Sequence, residues 1–358
     1  MPCYHPLVAF DFGVLPSGKK NLKIYPNGTD HLEFKKGRWC AVTTDFRSPY
    51  AERYKDPFSP IPCGKCVGCK LEYSRMWANR CVLESKLHKS SLFLTLTYDD
   101  LCVPRVLYGE RENGEAREAM TLKKSDFQKF MKRLRRYVAY HIDDTFANSA
   151  ITIVDDNPTL RFYACGEYGP ETLRPHYHAL IFGLDLPDKV LLRNERGNAY
   201  YTSKILSELW PFGNHIIGDV GFKSAAYVAR YCTKKLSGED AEAAYDFYGI
   251  ERPFLLMSRK PGIGIPYYEQ FLKEKSPDEW IVVSTVDGGF AFSWPKYFES
   301  KYAEEHSEHL ADIKANRKAA QTDFEEISMS LTDISMRELL IVNEESKKLS
   351  LKKLRRSL

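Results

Sequence analysis

The sequence predicts an α+β fold: a central antiparallel sheet flanked by helices, with a cysteine-rich N-terminal extension and a mainly helical C-terminal region. Three observations predict it. Short apolar runs with strand periodicity recur at 91–100, 160–169 and 176–183. Runs with helical spacing surround them at 70–88, 125–142 and 224–238. From about residue 296, glycine and proline vanish and Ala, Glu, Lys and Leu take over, a helical composition. With 358 residues, 43% of them hydrophobic, the chain has room for two domains or one large one. The expected organisation is a cysteine-rich segment over 1–89, a core domain over 90–240 and an accessory region over 241–358.

Each element has a local reason. Residues 1 to about 62 are rich in Pro, Gly and aromatics and hold short β-like runs such as "WCAVTT" (39–44). In the first helix Leu71, Trp77, Cys81, Leu83 and Leu87 share a broad face. "SLFLTLTYDD" (91–100) reads as a strand, and the Glu-rich "YGERENGEAREAM" after it as a loop. "SDFQKFMKRLRRYVAYHI" is an amphipathic helix with Phe127, Phe130, Met131 and Leu134 inward and a basic flank. "LRFYACGEYG" is a second strand, and "HYHALIFG" a third, closed by Gly183. "SKILSELW" (203–210) is a short helix ended by Pro211, and "GNHIIGDVG" (213–221) alternates weakly. "SAAYVARYCTKKLSG" (224–238) is a helix with Ser224 as its cap and Gly238 as its stop.

Net charge is only +4, but basic residues gather at 123–136, 258–264 and 347–358. Local basic patches suit a polyanionic partner better than a small acidic substrate. No signal peptide and no stretch of 18 apolar residues is visible, so no membrane partner is expected. The nine cysteines are an odd count, with three in "CGKCVGC". That pattern points to a reducing cytosol and to metal-binding or free thiols.

Four constellations carry chemistry. His176 and His178 alternate on a strand, so both imidazoles leave one face, about 7 Å apart along the chain. They read either as metal ligands or as two half-buried histidines. If "GPETLRP" closes a hairpin, Glu167 comes beside them, and two imidazoles with one carboxylate leave positions open on a metal ion. Tyr227 and Tyr231 are spaced i, i+4 on a helix. They read as core aromatics or, with Arg230, Lys234 and Lys235 nearby, as nucleophiles beside a bound phosphate. Cys63, Cys66 and Cys69 have the spacing of a structural zinc site, with Cys3, His5 or Cys81 as the fourth ligand. Finally, "KFMKRLRR" reads as a phosphate track or a solvated face, and Arg259 and Lys260 in "SRKPGIG" as a phosphate-binding loop or a basic turn.

"RPHYHALIFG" (174–183) followed by "SAAYVARYCTKK" resembles the HUH endonucleases, which initiate rolling-circle replication. With "MPCYHPL", "PCGKCVGC", "SRMWANRC", "FLTLTYDD", "GEYG" and "MSRKPGIG", residues 1 to about 270 are similar to the initiators of Microviridae phages, the gokushovirus branch. One departure is Tyr177, where that family usually carries a bulky hydrophobic residue. The resemblance implies Mg²⁺ or Mn²⁺ on His176, His178 and Glu167. It implies attack by Tyr227 or Tyr231 on a single-stranded DNA origin, a 5′-phosphotyrosine and a free 3′-OH for a host polymerase, with a host helicase as a further partner. Tyr98 lies where the family keeps its first motif. Tyr98, Arg230, Arg259 and Lys260 are the expected DNA contacts, and the bacterial host cytoplasm is the expected location. Asp99 and Asp100 either assist the metal or end the strand. A plasmid relaxase or single-strand transposase shares this chemistry; a zinc-dependent DNA-binding regulator would need the cysteines but neither tyrosine.

Overall fold

The computed structural model describes residues 3–18, 20–110, 115–140, 160–169, 171–195, 197–231, 239–285 and 288–356. The chain forms two compact units, Met1–Glu72 with Gln321–Leu358, and Tyr73–Ala320.

The smaller unit carries two three-stranded sheets. β1 (Leu7–Val14) lies between β2 (Lys20–Tyr25) and β6 (Ser59–Ile61), and β3 (His31–Lys35) lies between β4 (Arg38–Val42) and β5 (Arg53–Lys55). The β3–β4 hairpin turns through Lys36 and Gly37, both at positive φ, which matches the twist of the flanking strands. Phe10 and Leu32 are fully buried here. The helix α8 (Met336–Arg356) belongs to this unit, and its Glu344 lies 2.8 Å from His5.

The chain enters the larger unit within α1 (Val67–Ser85), then forms β7 (Ser91–Thr97), the hairpin β8 (Arg105–Glu110) and β9 (Ala116–Met120), and α2 (Lys124–Tyr140). The strands β10 (Arg161–Tyr168), β11 (Pro175–Phe182), β12 (Val190–Glu195) and β13 (Asn198–Thr202) follow. Next come α3 (Lys204–Leu209), β14 (His215–Asp219), α4 (Phe222–Tyr231), α5 (Glu239–Tyr248) and β15 (Phe254–Met257). A second hairpin, β16 (Ile281–Thr285) and β17 (Gly288–Phe292), precedes α6 (Lys296–Tyr302) and α7 (Ser307–Ser330). Seven strands form one antiparallel sheet in the order β12-β13-β14-β7-β11-β10-β15.

Period-two alternation sorts this sheet into two faces. On one face Leu92, Leu94 and Leu96 of β7 and Tyr177, Ala179 and Ile181 of β11 meet Phe127, Phe130, Met131 and Leu134 of α2. On the other, Leu180 and Phe182 of β11 and Tyr163 and Cys165 of β10 meet Trp77 and Cys81 of α1 and Ala225, Val228 and Ala229 of α4. The second core runs on through Ile263, Tyr268, Ile281, Trp294 and Phe298. Within the larger unit one core draws side chains from α1 through α6. Buried Glu84 of α1 binds Arg161 of β10 and accepts 2.6 Å from the Gly264 amide, while Arg161 donates 2.9 Å to the Pro261 carbonyl. Among the described residues, no helix is long and apolar enough to cross a membrane.

Candidate active site

The connection between Tyr168 and Pro175 closes a hairpin whose register pairs Glu167 with His176 and Cys165 with His178. Directly paired residues of antiparallel strands project to the same face. Glu167, His176 and His178 therefore converge, and their ligand atoms lie within 4.8 Å of one another. The Nε2 of His176 is 2.8 Å from Glu167 Oε1, and that of His178 is 3.1 Å from the same oxygen. Glu167 and His178 are buried and His176 is half-buried.

The far nitrogen of each ring is engaged. His176 Nδ1 lies 3.1 Å from the Arg174 carbonyl, which can only accept, so Nδ1 carries the proton. His178 Nδ1 lies 2.9 Å from Thr95 Oγ1, on the residue paired with it across β7. The tautomer with Nδ1–H on both rings satisfies these partners and leaves two Nε2 lone pairs aimed at one carboxylate oxygen. Three acceptors at this spacing need a cation or a shared proton among them, and a mixed nitrogen–oxygen donor set suits a divalent ion. With a shared proton in place of a cation, Nε2–H donation from the imidazoles outweighs the burial that pushes the Glu167 carboxyl up and holds its pKa below the ordinary value.

Tyr227 of α4 stands at this group. Its ring centroid is 5.0 Å from that of His178, edge to face, and it is 39% exposed. Phe93 of β7 stacks on the His178 ring at 5.7 Å and meets Tyr227 edge to face at 6.1 Å. Tyr231 ends α4, but its side chain and that of Arg230 lie outside the described residues, as do Lys234 and Lys235.

Tyr177, between the two histidines, faces the opposite side of the sheet and is fully buried. Its hydroxyl donates to the Lys123 carbonyl at 2.9 Å, accepts from the Lys123 amide at 3.1 Å and lies 2.7 Å from Tyr98 Oη. A satisfied phenol explains how tyrosine fills an apolar position. Tyr98 is buried with it. It is 2% exposed, its ring packs on Trp210, and its hydroxyl donates to buried Asp126 at 2.9 Å. It has no face for nucleic acid. The signal was in the strand: Tyr98 shares parity with Leu92, Leu94 and Leu96, all buried.

Asp99 accepts from the Leu101 and Cys102 amides, and Asp100 pairs with Arg174 at 2.6 Å, so both shape the turn after β7. Gly213 packs against that turn, where a Cβ would come 2.4 Å from the Asp99 amide nitrogen. Arg259 and Lys260 are exposed beyond β15, at the Arg161 end of β10. Six residues of strand, about 20 Å, separate that end from Glu167. Thr95 and Phe93 are site residues that sequence reasoning missed, because only the register of β7 on β11 brings them to His178.

The second ligand group lies in the smaller unit. Cys3, Cys63, Cys66 and Cys69 also bring their sulfurs within 4.8 Å of one another. The structure thus places Cys3 with the triplet. His5 pairs with Glu344, and Cys81 is fully buried in the core of the larger unit. Backbone amides point at the sulfurs: Tyr4 and Cys69 at Cys66, Cys66 at Cys63, and Cys63 at Cys3, all at 3.3–3.4 Å. Burial pushes the Cys3, Cys66 and Cys69 thiols up; at Cys66 the amides outweigh it and draw the pKa below the ordinary value, while Cys3 and Cys69 stay above theirs. Amides aimed at sulfur favour thiolates, the form that binds metal.

Residues 91–236 match the family described as Replication-associated protein ORF2/G2P, a span that includes Glu167, His176, His178, Tyr227 and Tyr231. The chain is similar to the replication-associated protein ORF2 of Spiroplasma virus 4, 31% identical over 325 residues, covering 89% of this chain and 86% of the relative. It is similar to the replication-associated protein VP4 of Bdellovibrio phage phiMH2K, 31% identical over 269 residues and covering 75% of each. It is also similar to the replication-associated protein ORF4 of Chlamydia phage 1, 28% identical over 246 residues, covering 67% of this chain and 53% of the relative. No solved structure matches the chain.

Proposed function

The chain belongs to the phage replication-associated proteins, and from that premise we propose that it initiates rolling-circle replication as a metal-dependent HUH nickase and strand transferase of the two-tyrosine type. The observation that carries this reading is Tyr227 beside His178, 5.0 Å between ring centroids, at the edge of a two-histidine, one-carboxylate group. A non-catalytic DNA-binding regulator needs no phenol there.

A divalent cation, Mg²⁺ or Mn²⁺, held by His176, His178 and Glu167 supplies Lewis-acid polarisation of a phosphodiester. The Arg174 carbonyl and Thr95 hold the two imidazoles in the ligating tautomer. The Tyr227 phenol loses its proton as its oxygen bonds to phosphorus. The bond from phosphorus to the 3′ oxygen breaks, and that oxygen leaves with the electron pair and takes up a proton. The products are a 5′-phosphotyrosine and a free 3′-OH, the end a host polymerase extends. Water is not consumed and the ester bond is conserved, so rejoining needs no nucleotide cofactor. Tyr231 fits the second transfer, one helical turn on, and Lys234 and Lys235 fit the phosphate charge. In the smaller unit four thiolates suit a structural Zn²⁺ with no open position. The reading sets the work in the cytoplasm of the bacterial host, on single-stranded origin DNA, beside a host helicase.

The test is a labelled single-stranded origin oligonucleotide incubated with Mn²⁺ or Mg²⁺ and run on a denaturing gel. Wild type should give a metal-dependent covalent adduct, and Tyr227→Phe with Tyr231→Phe should abolish it. Binding without an adduct on any origin fragment would turn the reading to a zinc-dependent regulator.

A further inference from the structure

The outer face of α2 gathers five cations on one short helix. Lys124, Lys129, Lys132, Arg135 and Arg136 are all exposed on it. The one acid of the helix, Asp126, is buried and accepts from Tyr98. Some cations elsewhere sit beside carboxylates: Lys273 with Glu305 at 3.0 Å, Lys301 with Glu304 at 2.9 Å, Arg252 with Asp246 at 3.0 Å. Among the described residues, none of the five side chains has an ion-pair partner, although the Lys124 amide donates to the Glu251 carboxylate at 2.8 Å. Arg135 gives one nitrogen to the Leu160 carbonyl at 3.3 Å, and Arg136 lies over the Tyr140 ring at 5.5 Å.

This arrangement works against the helix. Lys129 and Lys132 are spaced i, i+3, Lys132 and Arg136 i, i+4, and like charges at these spacings repel. Lys124 stands in the first turn, where the helix dipole disfavours a cation. A face that repels itself and meets no side-chain counter-charge among the described residues is complementary to a polyanion. The face is also fixed in place. Phe127, Phe130, Met131 and Leu134 seat α2 on the sheet, and the buried pair Tyr177 and Tyr98 ties its first turn to β11 through Asp126 and Lys123.

We propose that the outer face of α2 is a second phosphate-binding surface, one that holds the DNA backbone away from the nick site without reading sequence. This rests on the proposed nickase function. Tyr177 and the two histidines leave opposite faces of β11, so the sheet and a helix diameter of about 10–12 Å lie between these cations and the metal ligands. One phosphate cannot touch both. A strand seated on both follows the edge of the sheet, and a short oligonucleotide carrying only the nick site reaches one.

The test compares wild type with the triple variant Lys129→Gln, Lys132→Gln, Arg136→Gln in the full chain. The probes are a long mixed-sequence single strand, titrated over a range of salt, and a short oligonucleotide bearing the nick site. Each lost contact removes about 0.7 from the slope of log affinity against log salt on a single strand. The variant should lose about 2 from that slope, bind the long strand more weakly and cleave the short oligonucleotide as wild type does. An unchanged slope overturns the proposal and leaves an acidic protein as the partner to seek. Parallel loss of short-oligonucleotide cleavage also overturns it, because the cations then serve the nick site. If wild type forms no adduct yet the slope still falls, the nickase reading fails and the phosphate surface stands.

Discussion

The thiol group of the smaller unit and the imidazole–carboxylate group of the larger one differ in donor atoms, in closure and in the chain that builds them. Four sulfurs from Cys3, Cys63, Cys66 and Cys69 can complete a tetrahedron by themselves. Two nitrogens and a carboxylate from Glu167, His176 and His178 cannot, and Tyr227 stands beside them. The thiols lie on loops and at the start of α1, where a bound ion would supply order that short strands do not. The imidazoles lie in the middle of a packed sheet, where order comes first and an ion is added to it. A closed set of donors suits an ion that stabilises, and an open set suits one that does chemistry.

Four measurements separate the two ligand groups. Cys66→Ser should remove about one Zn²⁺ per chain and most of the amide exchange protection over 7–61, since structural zinc contributes on the order of 10 kcal/mol. His178→Ala should leave that protection intact, and a common loss in both variants would break the comparison. Tyr227→Phe should abolish the covalent adduct while shifting stability by less than about 0.5 kcal/mol, as an exposed side chain does; a folding defect of equal size would return Tyr227 to the core.

Stability of the larger unit should instead follow its buried charges. Burial pushes the Glu84 carboxyl up, and His88, Arg161 and the Gly264 amide outweigh it, so its pKa is lowered on folding. A lowered carboxylate stabilises above its unfolded value and loses that contribution as pH falls through the folded one. Glu84→Gln should cost about 3–5 kcal/mol at pH 7, because Arg161 is left unpaired. The difference from wild type should shrink below about pH 4, read by denaturant melts at each pH. The smallest effect belongs to Thr95→Val. Freeing the His178 Nδ1 should weaken Mn²⁺ binding about 10- to 100-fold, measured by calorimetry, with the sheet unchanged.

Much of this site was legible in the sequence because it is local. Alternation put His176 and His178 on one face, and a short polar connection between two strands put Glu167 beside them. Alternation held the answer for Tyr98 as well, since the strand that placed Leu92, Leu94 and Leu96 in the core placed Tyr98 with them. What could not be read was non-local. Thr95 meets His178 only through the register of β7 on β11, and Phe93 meets Tyr227 only because α4 packs on that face. The edge strand β15 and the hairpin β16–β17 come from runs too short to announce themselves, yet Ile281 and Phe292 close the core begun by Trp77.

The hairpin that carries the ligands also says something about order in time. Glu167 and His176 are 9 residues apart, whereas Cys3 and Cys63 are 60 apart. Closing the longer loop costs about 2 kcal/mol more chain entropy, and hairpins form within microseconds. The imidazole–carboxylate group is therefore assembled early, by neighbours, while the sheet is still growing. The thiol group waits for the two ends of a 60-residue segment to meet.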